Sequence, residues 1–107
     1  MEQLAERVRQ ELSGRSDVSE RKMFGGTGFM LAGNLCVGAQ RNGNLLVRVD
    51  PDASDVLIRA PHASLMVQRG RELPGWLIVD AAALEDDDSF RGWLGRGVEF
   101  ASSLPPK

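Results

Sequence analysis

The chain is poor in the residues that usually carry chemistry: one cysteine, one histidine and no tyrosine in 107 residues. A lone Cys36 cannot close an internal disulfide, which fits a reducing compartment. One Cys and one His also fall short of the four Cys/His-type ligands of a structural zinc site, so neither a metal nor a cofactor is expected. Two Trp and four Phe leave little aromatic surface for stacking single-stranded bases. Charge of one sign is lacking too: 13 basic and 15 acidic residues leave a formal charge of −2, with no global pull toward nucleic acid or anionic membrane. No apolar run approaches the roughly 18–20 residues that span a bilayer. Met1–Glu11 is too charged for a secretory signal. These absences point to a soluble, cytoplasmic, non-enzymatic protein.

What is there is ordinary globular composition, 42% hydrophobic and 26% charged, in a length that suits one domain over residues 1–107. Leu4, Val8 and Leu12 recur at helical spacing and predict a first helix, which Ser13-Gly14 stops. After a polar stretch from Arg15 to Lys22, short apolar runs follow at Gly28–Leu31, Leu35–Ala39 and Leu45–Val49. Gly33-Asn34 and Asn42-Gly43 separate them and predict a three-stranded meander. Asp50-Pro51 reads as a cap and first turn of a helix of about 8–9 residues that ends at Ala60-Pro61. Two further strands, Leu65–Gln68 and Trp76–Val79, flank a turn at Gly70, and a last helix runs from Ser89 to Ser102. The fold class is α+β, a curved antiparallel sheet of about five strands with helices, in the order α-β-β-β-α-β-β-α.

Few segments survive as chemical candidates. Gly25-Gly26-Thr27-Gly28 leads into a strand and lacks the helix N-terminus and Lys of a phosphate loop, so it reads as a bend or bulge where backbones approach closely. Cys36 lies mid-strand among apolar residues, and His62 follows Pro61 in a loop, which argues against a Cys–His pair. Glu85–Asp88 fits capping of the last helix better than a calcium loop. Trp76 and Trp93 read as core or interface anchors. Gly92, Gly95 and Gly97 are costly inside a helix, about 1 kcal/mol each against Ala, and imply either close packing or fraying. Arg41, Arg48, Arg59, Arg69 and Arg71, with Arg15, Arg21 and Lys22 as a second group, would make a phosphate-binding face only if they converge. No helix-turn-helix or basic recognition helix can be placed, so direct nucleic-acid binding is disfavoured.

With the order of elements in hand, Arg21-Lys22-Met23-Phe24-Gly25-Gly26-Thr27-Gly28-Phe29-Met30 resembles the N-terminal domain of the TfoX/Sxy family of bacterial competence regulators. Leu45–Asp50, Pro61-His62-Ala63, Gly70–Trp76 and Phe100–Lys107 extend the resemblance over nearly the whole chain. It implies an α+β fold with a helix-covered antiparallel sheet. The best-known members promote transcription of competence genes together with the cyclic-AMP receptor protein and carry a second, C-terminal domain; this chain is expected to hold the first domain alone. The expected function is therefore a non-enzymatic regulatory or protein–protein interaction domain, a transcription accessory factor whose partner is a protein such as a transcription regulator. Arg21, Lys22, Met23, Phe24, Gly25 and Gly26 are the expected partner contact. A homodimer through the sheet or the last helix is a further expectation. The alternative is a nucleic-acid or small-ligand binding module using an Arg-bearing sheet surface.

Overall fold

The computed structural model describes residues 3–23 and 25–107. Three layers of sequence signal become α1 (Gln3–Glu11), four strands β1 (Val18–Met23), β2 (Gly26–Leu31), β3 (Asn34–Gln40) and β4 (Leu45–Arg48), and α2 (Ser54–Leu57) after a 3-10 turn at Pro51–Ala53. Strands β5 (Ala63–Gln68) and β6 (Arg71–Val79), a 3-10 turn at Ala81–Leu84 and α3 (Asp87–Ser102) complete the chain. All pairings are antiparallel, in one sheet ordered β1-β2-β3-β4-β6-β5.

The α+β class and the order of the other elements follow the sequence, but the sheet has six strands rather than about five. The extra one is β1, inside the polar stretch from Arg15 to Lys22. Its four central residues are exposed, because an edge strand beyond the packed core needs no alternating apolar pattern. The second helix is also shorter than its 8–9 residues predicted. Asp50 caps as expected, its Oδ1 accepting from Asp52 N–H at 2.9 Å. Tight i→i+3 bonds, Ala53 N–H to Asp50 C=O and Arg59 N–H to Val56 C=O, then reduce the α-helical part to four residues. The last helix begins two residues earlier than read, with Asp86 Oδ2 accepting from Ser89 N–H at 2.9 Å.

Alternation along the strands decides the core. One sheet face carries Phe29, Leu31, Val37, Leu45, Val47, Leu77 and Val79, all at most 1% exposed, and α1 and α3 cover it with Leu4, Val8, Phe90, Trp93 and Leu94. Burying each of these large side chains contributes about 1.5–3 kcal/mol. Helix α3 comes close enough to β3 that a Cβ on Gly97 would stand 2.7 Å from the Cys36 carbonyl oxygen. Beyond α3 the tail runs beside the β2–β3 hairpin: Asn34 Nδ2 donates to the Pro105 carbonyl at 2.9 Å, and Lys107 N–H to Ala32 C=O at 2.8 Å.

Candidate functional site

Within the predicted contact segment Arg21–Gly26, Phe24 lies outside the described residues. The rest forms the corner where the edge strand β1 turns into β2. Gly25 takes φ +73° at the turn, and Met23 and Gly26 close the ladder as register partners. The glycine cluster has the structural role read from sequence. A Cβ on Gly26 would lie 2.0 Å from the Ala39 carbonyl oxygen of β3, so the close approach of the two strands admits no side chain there.

Arg21 and Lys22 are sequence neighbours on a strand and therefore point to opposite faces. Lys22 shares the helix-covered side with Glu20, and Arg21 shares the other side with Met23. Both nevertheless line one open basin of about 300 Å³ at the corner, together with Arg9 of α1, Glu20, Gly26, Thr27 and Arg41. Four cations and one carboxylate leave a net of three positive charges there, in a protein of formal charge −2.

The cations are not equivalent. Arg9 is locked: its Nε and Nη2 donate to Glu20 at 2.6 and 2.8 Å, and its Nη1 donates to Glu6 at 2.6 Å. The Glu20 hydrogen bond, then that of Glu6, raises the Arg9 guanidinium above its ordinary value. In return the Arg9 guanidinium holds the Glu20 carboxyl below the usual carboxylate range. A general base works best with a pKa near the operating pH, and Glu20 is moved the other way. Among the described residues, Arg21, Lys22 and Arg41 have no carboxylate partner. The corner therefore offers an anion three uncommitted cations beside a rigid Arg9–Glu20 strut, with Thr27 alongside.

The sequence groups Arg41 with Arg48, Arg59, Arg69 and Arg71 rather than with Arg21 and Lys22, and does not single out Arg9 at all. Arg9 looked like the solvated face of a helix. Arg41 had a readable signal: in a meander the turn after β3 returns to the end where β1 meets β2, and Arg41 N–H donates to Gly25 C=O at 3.3 Å. The other basic residues do not converge. Arg15 pairs with Asp17 at 3.1 Å, and Arg48 stands over the Trp76 ring. Arg69 and Arg71 sit at the β5–β6 hairpin, at the opposite edge of the sheet.

Cys36 and His62 are likewise not brought together. Cys36 lies on β3 and His62 just before β5, strands three sheet positions or about 14 Å apart. Burial pushes the Cys36 thiol up to about 12. His62 is exposed in the loop before β5, its Nδ1 3.8 Å from an Asp80 carboxylate oxygen. The acidic run caps as expected, with Asp86 at the start of α3, and Asp87 in addition pairs with Arg7 of α1 at 3.0 Å. Trp93 is a core residue at 8% exposure, and Trp76 is half-buried on the other face of the sheet.

No helix among the described residues is long and apolar enough to cross a membrane. No curated protein matches the sequence. The TfoX N-terminal domain, by contrast, matches residues 10–101, a span that runs from the end of α1 through all six strands and nearly all of α3 and includes the whole β1–β2 corner. With most of its length matched, the chain belongs to the TfoX N-terminal domain family.

Proposed function

We propose that this domain is a non-enzymatic regulatory module, a transcription accessory domain related to competence regulators, that contacts a protein partner through the β1–β2 corner. Arg21 and Lys22 are the partner contacts. One observation carries the reading: Arg21, Lys22 and Arg41 share an open basin without a carboxylate partner among the described residues, while Arg9 beside them is already saturated. Membership of a family of competence-related regulatory domains supports the same role. Tagged protein used as bait in a bacterial lysate tests it, compared with an Arg21→Glu/Lys22→Glu variant. Capture of a regulator or polymerase component by the native chain and its loss in the variant is the expected result; equal capture overturns the contact. Sedimentation of the same samples decides whether two copies associate.

The basin's charge also favours a second reading, binding of a nucleic acid or small anion. Three phosphate contacts on duplex DNA would give a log–log salt slope of about −2.7, or a loss of about 40-fold between roughly 50 and 200 mM salt. A flat titration leaves the protein partner.

A further inference from the structure

The sheet face away from α1 and α3 has its own apolar cluster, and every member of it comes from a strand. Met23, Met30, Leu35, Leu46, Ile78 and Met66 supply one residue from each of the six strands, so the strip crosses the whole sheet. Mid-strand Gly28 lets it lie low: Met23 and Leu35 fill the space where a Gly28 side chain would stand, with Met23 Sδ 2.6 Å from the position of its absent Cβ. Met30, Leu35 and Leu46 are at most 8% exposed, whereas Met23, Ile78 and Met66 remain half-buried. Of the four methionines in the sequence, the three beyond Met1 all lie here. Methionine is unbranched and polarisable, which suits a surface that adapts to an apolar partner.

Charge selects the occupant. On this face the strand register places Ser19 and Arg21 on β1, Gln40 on β3, Arg48 on β4, Arg71 on β6 and Ser64 and Gln68 on β5, three cations and no acid. Arg48 rests its guanidinium 5.2 Å from the Trp76 ring centre and 5.5 Å from that of Phe100, with no carboxylate partner among the described residues. A second copy of the same face would set arginine against arginine. Five strand spacings make the strip about 24 Å long, which is the length of a helix of about 16 residues.

We infer that this strip is a docking groove for an amphipathic helix of a partner protein, apolar on one side and carrying carboxylates along its flank that meet Arg48 and Arg21. The inference rests on the reading of the domain as an interaction module; it shares Arg21 with the basin at the corner but not Lys22, Arg41 or Arg9. An apolar helix face in an apolar groove supplies affinity, and the charged flanks supply orientation.

Protein labelled at the methionine methyl carbons provides the test, since the methyls of Met23, Met30 and Met66 report directly from the strip. The probe is a synthetic peptide of about 16 residues with leucines at i, i+3, i+4 and i+7 and glutamates on the flanks. Saturable shifts of all three methyl signals are expected, with binding about tenfold weaker for a peptide bearing lysines in place of the glutamates, and about tenfold weaker for Arg48→Glu. Arg48→Gln, with an intermediate loss, covers the case that the reversal disturbs folding. Absence of shifts, equal binding of both peptides, or an unchanged affinity in both Arg48 variants would overturn the inference. Shifts that depend on protein concentration alone would overturn it in favour of a second copy, and shifts with anionic phosphatidylglycerol vesicles but not with peptide in favour of a membrane. Arg48 lies outside the basin, so loss here with intact lysate capture, or the reverse, separates the two surfaces.

Discussion

Three glycines on one helix are predicted to answer the same substitution with opposite signs. Gly92, Gly95 and Gly97 all lie inside α3, where replacing Gly by Ala gains about 1 kcal/mol of helix propensity. A Cβ at Gly92 or Gly95 meets nothing within 4 Å, so the gain stands undiminished. At Gly97 the new methyl would lie 2.7 Å from the Cys36 carbonyl oxygen and 2.8 Å from Val37 Cγ1. Both neighbours belong to the buried centre of β3, and a buried backbone carbonyl cannot move aside as the end of a flexible side chain can. Overpacking of that kind costs about 1–3 kcal/mol, which cancels or outweighs the propensity gain and leaves a net loss of up to about 2 kcal/mol. Gly92→Ala and Gly95→Ala should each raise the melting temperature by about 4 °C, and the double variant by nearly the sum. Gly97→Ala should leave it unchanged or lower it by up to about 8 °C. Thermal melts followed by circular dichroism, with urea midpoints as a second measure, read all four proteins. A Gly97→Ala variant as stabilised as the other two would refute the close approach of α3 to β3. A concentration-dependent loss in Gly92→Ala or Gly95→Ala would show that the outer face of the helix packs against a second copy.

Other contacts give equally direct tests. Ser54→Ala strips the buried Gly75 N–H of the hydroxyl it donates to at 2.6 Å, a loss of about 1–3 kcal/mol readable as a lower urea midpoint. Acid should destabilise the fold: the Asp17 carboxyl is held low by its hydrogen bond from Arg15 and Glu20 by that from Arg9, so both contribute stability above their unfolded values that is lost as the pH falls through the folded ones. Urea midpoints that stay flat from about pH 7 to about pH 3 would contradict this. The Cys36 thiol, buried and pushed up to about 12, should resist a disulfide reagent at about pH 8 in the native protein and react at once in denaturant; fast native labelling would place it at the surface.

Legibility of this fold from sequence tracked how much of each element's pattern came from burial. α1, β2 to β4, β6 and α3 each press an apolar side on the core, and their periodicities were readable. β1 was not, because Ser19 to Lys22 are all exposed and its strand conformation comes from pairing with β2. The corner was half legible: Arg21 and Lys22 stood out as a basic pair before a glycine run. Arg9 and Arg41 joined them only through the crossing of α1 over the sheet and the return of the β3–β4 turn. Of the three helix glycines, helical spacing puts only Gly97 on the apolar side, four residues after Trp93 and three after Leu94, but its contact with the Cys36 carbonyl is a tertiary fact.

The sequence by itself determined the fold class, the order of nearly all its elements and the poverty of its chemistry, because hydrophobic period, turn residues and residue inventory are local properties. The tertiary structure alone decided which arginines are spent on Glu and Asp partners and which stand uncommitted. It also put all the internal methionines on one strip and set Gly97 against the Cys36 carbonyl. Those are relations between side chains distant in the chain, and only the register of six strands and the placement of two helices over one face bring them together.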